Sequence, residues 1–191
     1  MKQDILHDRY DFTENDKAII DISLDTLGDL FNAFDRKTSF YKRDLNQDFE
    51  DYLIASVKEL EGHDFIIRLN IEKELTKDSE ETIKKAIRNH FRFLYWQERK
   101  KFSKVILQFI ILTILGIALM AFYNQQNATI KDFNAIPMFS KIVIEGIDIA
   151  GWVAFWEAFT ILIFGFIPIK QNRRLYQKIS QTEIIIKEPT T

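Results

Sequence analysis

Apolar and polar positions alternate along this chain with two different periods, and two long runs show no alternation at all. In Ala18-Ile-Ile-Asp-Ile-Ser-Leu24, Ile20, Ile22 and Leu24 fall on one side and Asp21 and Ser23 on the other, the period of a half-buried strand rich in β-branched residues. Phe65-Ile-Ile-Arg-Leu-Asn-Ile71 repeats the pattern, with Phe65, Ile67, Leu69 and Ile71 against Arg68 and Asn70. Between them, Phe49, Tyr52, Leu53, Val57 and Leu60 follow one helical face up to Gly62, and Asp44-Leu-Asn-Gln47 has the Asp-x-x-Gln form of a capping box. A shorter helix capped by Asp25 is predicted from Leu27, Leu30, Phe31 and Phe34, with Gly28 weakening it; residues 35–41 read as loop. Strand, helix and strand in succession imply a parallel, right-handed pair.

A third helix starts at Asp78 or Ser79, carries Glu80 and Glu81 in its first turn, and turns Ile83, Ala86, Ile87, His90, Phe91 and Leu94 inward. No Gly or Pro interrupts it before Gly116, so it is expected to continue into Val105-Ile-Leu-Gln-Phe-Ile-Ile-Leu-Thr-Ile-Leu-Gly-Ile-Ala-Leu-Met-Ala-Phe122. At about 1.5 Å per residue this charge-free run nearly covers a hydrocarbon core of about 30 Å. Ala150 to Ile169 forms a second span, in which Pro168 kinks the helix without ending it. Beyond it, Thr182-Glu-Ile-Ile-Ile-Lys187 reads as a strand; left alone, Ile184-Ile-Ile186 would be an aggregation site, so the tail is predicted to return to the sheet.

The predicted fold is thus an α+β membrane protein whose small cytosolic α/β domain, β-α-α-β-α with a C-terminal strand added, is continuous with a two-helix transmembrane hairpin. Its expected parts are a loosely docked arm over 1–17, the cytosolic domain over 18–101, spans at 102–123 and 150–169, an outside loop at 124–149, and a helical extension and strand over 170–191.

Charge sets the expected orientation. Arg92, Arg99, Lys100, Lys101 and Lys104 precede the first span, only Lys131 and Lys141 lie between the spans, and Lys170, Arg173, Arg174 and Lys178 follow the second. Lys and Arg resist translocation, so both termini are expected in the cytoplasm. The acidic start Met1-Lys-Gln-Asp4 has no apolar signal region, which leaves the first span as the insertion signal. A formal net charge of −2 over 191 residues argues against a nucleic-acid partner, and the absence of cysteine excludes disulfides and thiolate chemistry.

The segments Leu27-Gly-Asp-Leu-Phe-Asn-Ala-Phe-Asp35, Phe40, Arg43-Asp-Leu45 and Glu50-Asp-Tyr-Leu53 are similar to those of a group of small, uncharacterised bacterial inner-membrane proteins. In that group a cytosolic domain precedes paired spans. The resemblance covers the cytosolic domain and its join to the first span; it implies a bacterial inner-membrane location and supplies no activity and no functional residue.

Glu157 is the residue that demands an explanation. A carboxylate seven residues inside a span costs roughly 2.5–3.5 kcal/mol on insertion scales unless it is protonated, paired or wetted. At matching depth on the first span, Gly116 and Thr113 offer room and a hydroxyl, and Ala150, Ala154 and Ala158 form a stripe suited to close helix packing. The alternatives are a Glu reaching up to the outer interface beside Trp152 and Trp156, an oligomer contact, or a pore lining. Gln108 near the cytosolic edge of the first span reads as interhelical glue or a snorkelling amide.

Asp35, Arg36, Arg43 and Asp44 form a charged cluster at the helix start where a partner could bind, although caps and solvated charges explain most of it. His7, His63 and His90 lack metal-ligand spacing, and His90 suits a packed, hydrogen-bonded imidazole. No phosphate loop, nucleophile elbow or metalloprotease motif is present, so no catalytic residue, cofactor or metal is expected. The expected function is that of a non-catalytic membrane module, with the lipid bilayer and either a second copy or a membrane or cytosolic protein as partners. A ligand- or stress-gated oligomeric effector or channel, and a membrane-bound enzyme of unrecognised class, are its rivals.

Overall fold

The computed structural model describes residues 2–32, 35, 43–60, 62–71, 77–130 and 137–187. The chain divides into two compact units, Met1–Trp96 with Arg173–Thr191, and Gln97–Asn172.

The first unit is mixed α+β, built on a four-stranded sheet. Its strands β1 (Asp11–Phe12), β2 (Ala18–Leu24), β3 (Phe65–Ile71) and β4 (Glu183–Lys187) lie side by side in sequence order. β1 runs antiparallel to β2, while β2, β3 and β4 are mutually parallel. Ile20, Ile67 and Ile184 are in register, as are Ile22, Leu69 and Ile186. These two rows face a single core completed by Phe49, Leu53 and Val57 of α2 (Gln47–Glu59), Ile83, Ile87 and Phe91 of α3 (Lys77–Thr129), and Ile179 of α5 (Ile167–Gln181). Fully burying each such side chain stabilises the fold by about 1.5–3 kcal/mol.

The tail returns to the sheet as its pattern predicted, and polar contacts fix the place. Lys178 Nζ donates to the carbonyl oxygens of Gly62 and His63 at 2.8 and 2.9 Å. Gly62 turns the chain after α2 with φ +103°, a conformation that only glycine adopts without strain. One residue before β4, the Thr182 hydroxyl donates to the Phe65 carbonyl at 2.6 Å.

Three local expectations change. Residues 1–17, expected as a loosely docked arm, carry α1 (Lys2–Arg9) and β1. The anchor is Tyr10, 8% exposed, whose hydroxyl donates to Glu59 at 2.8 Å. A tight turn then brings Asp11 and Phe12 against Ile19 and Ala18: the Thr13 amide donates to the Lys17 carbonyl, and Asp16 takes φ 59°, which Asp tolerates. Second, α2 is capped by Asn46, whose Oδ1 accepts from the Asp48 amide, and not by Asp44. The reason is that Asp44 is held in extended chain, with its amide donating to Asp35 Oδ2 and Leu45 bridged to Phe31. Third, the helix after Asp25 is a single 3-10 turn, Leu27–Leu30, closed by Thr26, whose amide and hydroxyl both donate to Asp29 Oδ2. Phe34 lies outside the described residues.

The second unit holds the rest of α3, α4 (Met138–Thr160), a π-helical turn (Ile161–Phe166) and the start of α5. Two helices, within Asp78–Thr129 and Met138–Gln181, are long and apolar enough to cross a membrane. Both extend further than predicted, α3 to Thr129 and α4 back to Met138, which shortens the connection expected over 124–149. Helix persists through Pro168. Lacking an N–H and crowding the carbonyl four residues earlier, proline disturbs the preceding turn, and the π-type turn sits there.

Candidate functional site

Within the second unit, α3 and α4 meet at their smallest residues. Gly116 and Gly151 are buried and adjoin each other: a Cβ on Gly116 would lie 3.2 Å from the Gly151 carbonyl oxygen, and one on Gly151 would lie 3.5 Å from the Gly116 carbonyl oxygen. Ala154 and Ala158 continue the contact along α4, and Gly165 admits Val105. Ala150 does not belong to this line; it is exposed. The packing face of α4 runs Gly151, Ala154, Ala158, at helical steps of three and four, so the glycine next to Ala150 takes the place expected of it.

This pair inverts the usual distribution of residues. Its contact face is small, while Ile110, Ile111, Ile114, Leu115, Trp152, Val153, Trp156 and Phe159 all lie exposed. In water such a surface would be a large aggregation hazard; facing hydrocarbon it costs nothing.

The polar residues of these helices are not brought together as the sequence suggested. Glu157 is exposed on α4 instead of buried against Gly116, because Gly116 is filled by Phe155 and the Gly151 backbone. The Thr113 hydroxyl donates to the Phe109 carbonyl in its own helix at 2.8 Å, and Gln108 is exposed. Glu157 therefore sits on an outward face among Val153, Trp156 and Phe159.

In the first unit, part of the charged cluster does assemble. Asp35 and Asp44 are joined by the hydrogen bond from the Asp44 amide, and Arg43 lies over the Phe31 ring at 5.9 Å. Arg36 lies outside the described residues. Behind the cluster, His90 Nε2 is 2.8 Å from Glu50 Oε2 and its Nδ1 is 3.9 Å from Asp44 Oδ1, so one imidazole ties α3 to α2. The hydrogen-bonded imidazole expected from the helix face is the one found.

Sequence reasoning missed a second polar group on the sheet face opposite the core. Arg68 binds Asp21, its register partner on β2, through both Nε and Nη2, and reaches Asp11 Oδ2 at 3.1 Å. Asn70 adds a contact of 3.4 Å to Asp21. The guanidinium hydrogen bond holds the Asp21 carboxyl below the usual carboxylate range, against a smaller opposing effect of burial. Opposite charges at the fourth position of each strand pattern were the available signal, but only the register shows that they meet. Three of these four carboxylate contacts run to one cation, Arg68. Among the described residues no group of three His, Asp or Glu side chains is placed to hold a metal ion.

No protein-family model, no curated protein and no solved structure matches this chain.

Proposed function

We propose that this chain is a two-span module of a bacterial inner membrane, with both termini in the cytoplasm, that acts without catalysis by assembling with copies of itself. One observation carries the reading: Glu157 lies on an exposed apolar face of α4 while the small-residue contact to α3 is already filled. A carboxyl at this depth in lipid costs roughly 2.5–3.5 kcal/mol, and a second copy supplies the polar partner that α3 does not. The orientation rests on the flanking charges, which are dense before the first span and after the second and sparse between. The sheet unit then sits on the cytoplasmic side, where its charged cluster around Asp35, Arg43 and Asp44 is available to a cytosolic partner.

Native mass spectrometry of the detergent-extracted full chain tests assembly. Oligomers are expected for the wild type and for Glu157→Gln, which keeps a hydrogen-bonding amide. Glu157→Leu should weaken assembly by about 0.6–1.7 kcal/mol, the order of interhelical hydrogen bonds in membranes. Unchanged or strengthened assembly of the Leu variant would mean that Glu157 faces the interface and not another copy. Planar-bilayer recording of the same preparations separates this reading from a gated channel, which would conduct.

A further inference from the structure

β4 is terminal in the sheet, so among the described residues no strand lies along its outer edge. At the opposite edge, β1 covers β2 at Ala18 and Ile19, and the stretch beyond shares a cleft with Asp29, Asp48 and Tyr52. In β4, alternate backbone N–H and C=O groups point away from β3 and need a partner. Its sequence is Glu183-Ile-Ile-Ile-Lys187, with the two charges exposed and three isoleucines between them.

We propose that β4 pairs antiparallel with β4 of a second copy, about a two-fold axis through Ile185, joining two four-stranded sheets into one. The occupant follows from charge. In this register Glu183 stands opposite the partner's Lys187 at both ends, Ile184 opposite the partner's Ile186, and Ile185 opposite itself. A parallel in-register pair would instead set Glu183 against Glu183 and Lys187 against Lys187. Like charges directly opposite destabilise a ladder and unlike charges stabilise it, so the strand is complementary to its own antiparallel copy and to no parallel one. Pairing also uses up the β4 edge of each copy, because a two-fold contact is satisfied by two chains and offers that edge to no third. The proposal deepens the self-assembly reading on which it rests by naming a contact outside the apolar helices.

The absence of cysteine makes the test direct, because each introduced thiol is unique. In the full chain, held in native membranes, Ile185→Cys should form a disulfide-linked dimer on mild oxidation, since opposed Cβ atoms lie about 4.5–5.5 Å apart. Glu183→Cys alone should not, its copies being about 13 Å apart, but should cross-link when co-expressed with Lys187→Cys. Glu183→Lys should lower dimer formation roughly fivefold to tenfold, and the exchange Glu183→Lys with Lys187→Glu should restore it. Oligomers by mass that fail to link through position 185, or that link equally through 183 alone, would overturn the strand pairing and leave self-assembly standing. A monomer by mass would overturn both.

Discussion

Gly151 places its carbonyl oxygen 3.2 Å from where a side chain on Gly116 would begin, so a methyl group on Gly116 would press on the backbone of the facing helix. The two positions are not equivalent. At Gly116 the new Cβ would also stand 2.8 Å from Phe155 Cδ2, whereas at Gly151 its nearest neighbour would be the flexible Met120 Cγ at 3.0 Å.

Gly116→Ala is therefore expected to destabilise the α3–α4 contact by about 1–3 kcal/mol of overpacking, less about 1 kcal/mol of recovered helix propensity. Gly151→Ala should cost less, because Met120 can yield. Gly146→Ala meets nothing within 4 Å and should be neutral or slightly stabilising. Unfolding of the three variants in mixed micelles with increasing denaturing detergent checks the order; equal effects at Gly116 and Gly146 would contradict the close crossing.

The His90–Glu50 pair predicts a different loss. Both side chains are mostly enclosed, at 9% and 14% exposure, and each removes the other's need for water. Glu50→Ala should destabilise the sheet unit by about 1.5–3 kcal/mol, the range for hydrogen bonds to charged groups. The change would appear as faster amide exchange in both α2 and the first turns of α3; a loss confined to α2 would show that the pair does not couple them.

Acid should loosen β2 and β3 through Asp21. Its carboxyl is held below its ordinary pKa of 3.8 by Arg68, so the folded state binds the proton more weakly than the unfolded chain. The contribution is complete above that pH and is lost as pH falls through the depressed folded value. Amide protection in Ala18–Leu24 and Phe65–Ile71 is expected to hold at neutral pH and decline below about pH 4. Asp21→Asn should lower protection at neutral pH and flatten the acid decline, whereas an unchanged acid limb in that variant would assign it to other carboxylates.

Ending the chain at Ser180 removes β4 and uncovers Ile67 and Leu69 on one flank. Amide exchange should then quicken throughout β3 while β2, still paired to β3, is affected less. Undiminished protection of Phe65–Ile71 would mean that the tail strand contributes no stability.

Legibility followed element length and the number of buried faces. β2, β3 and β4 each bury alternate residues in one core, so Ile20, Ile22, Ile67, Leu69 and Ile184 announced themselves by spacing alone. β1 has two residues, too few to show any period, although Asn15-Asp16 between Phe12 and Ala18 marked the turn that forms there. The cap of α2 was misplaced because Asp44 and Asn46 are both good caps, and the choice depends on a contact to Asp35, nine residues earlier in the chain. In the apolar helices, Ala154 and Ala158 lie in the packing face as their spacing suggested and only its first member moves from Ala150 to Gly151; Glu157 was misplaced because matching depth does not tell which side chain fills the space at Gly116, and Phe155 does. Pairings such as Asp21–Arg68 depend on register, which local pattern does not carry.

The connection between β3 and β4 has a further consequence. These neighbouring strands hydrogen-bond to each other, and both apolar helices lie in the chain that joins them. A bilayer cannot pass between paired strands, so the path from Ile71 to Glu183 must cross any membrane it enters an even number of times. A chain with one helix inserted and the other left out would strand Ile184 on the wrong side of a lipid barrier. β4 is also made after both helices during synthesis. Closure of the sheet thus acts as a parity check on insertion, completed only by chains whose helices have both gone in or both stayed out.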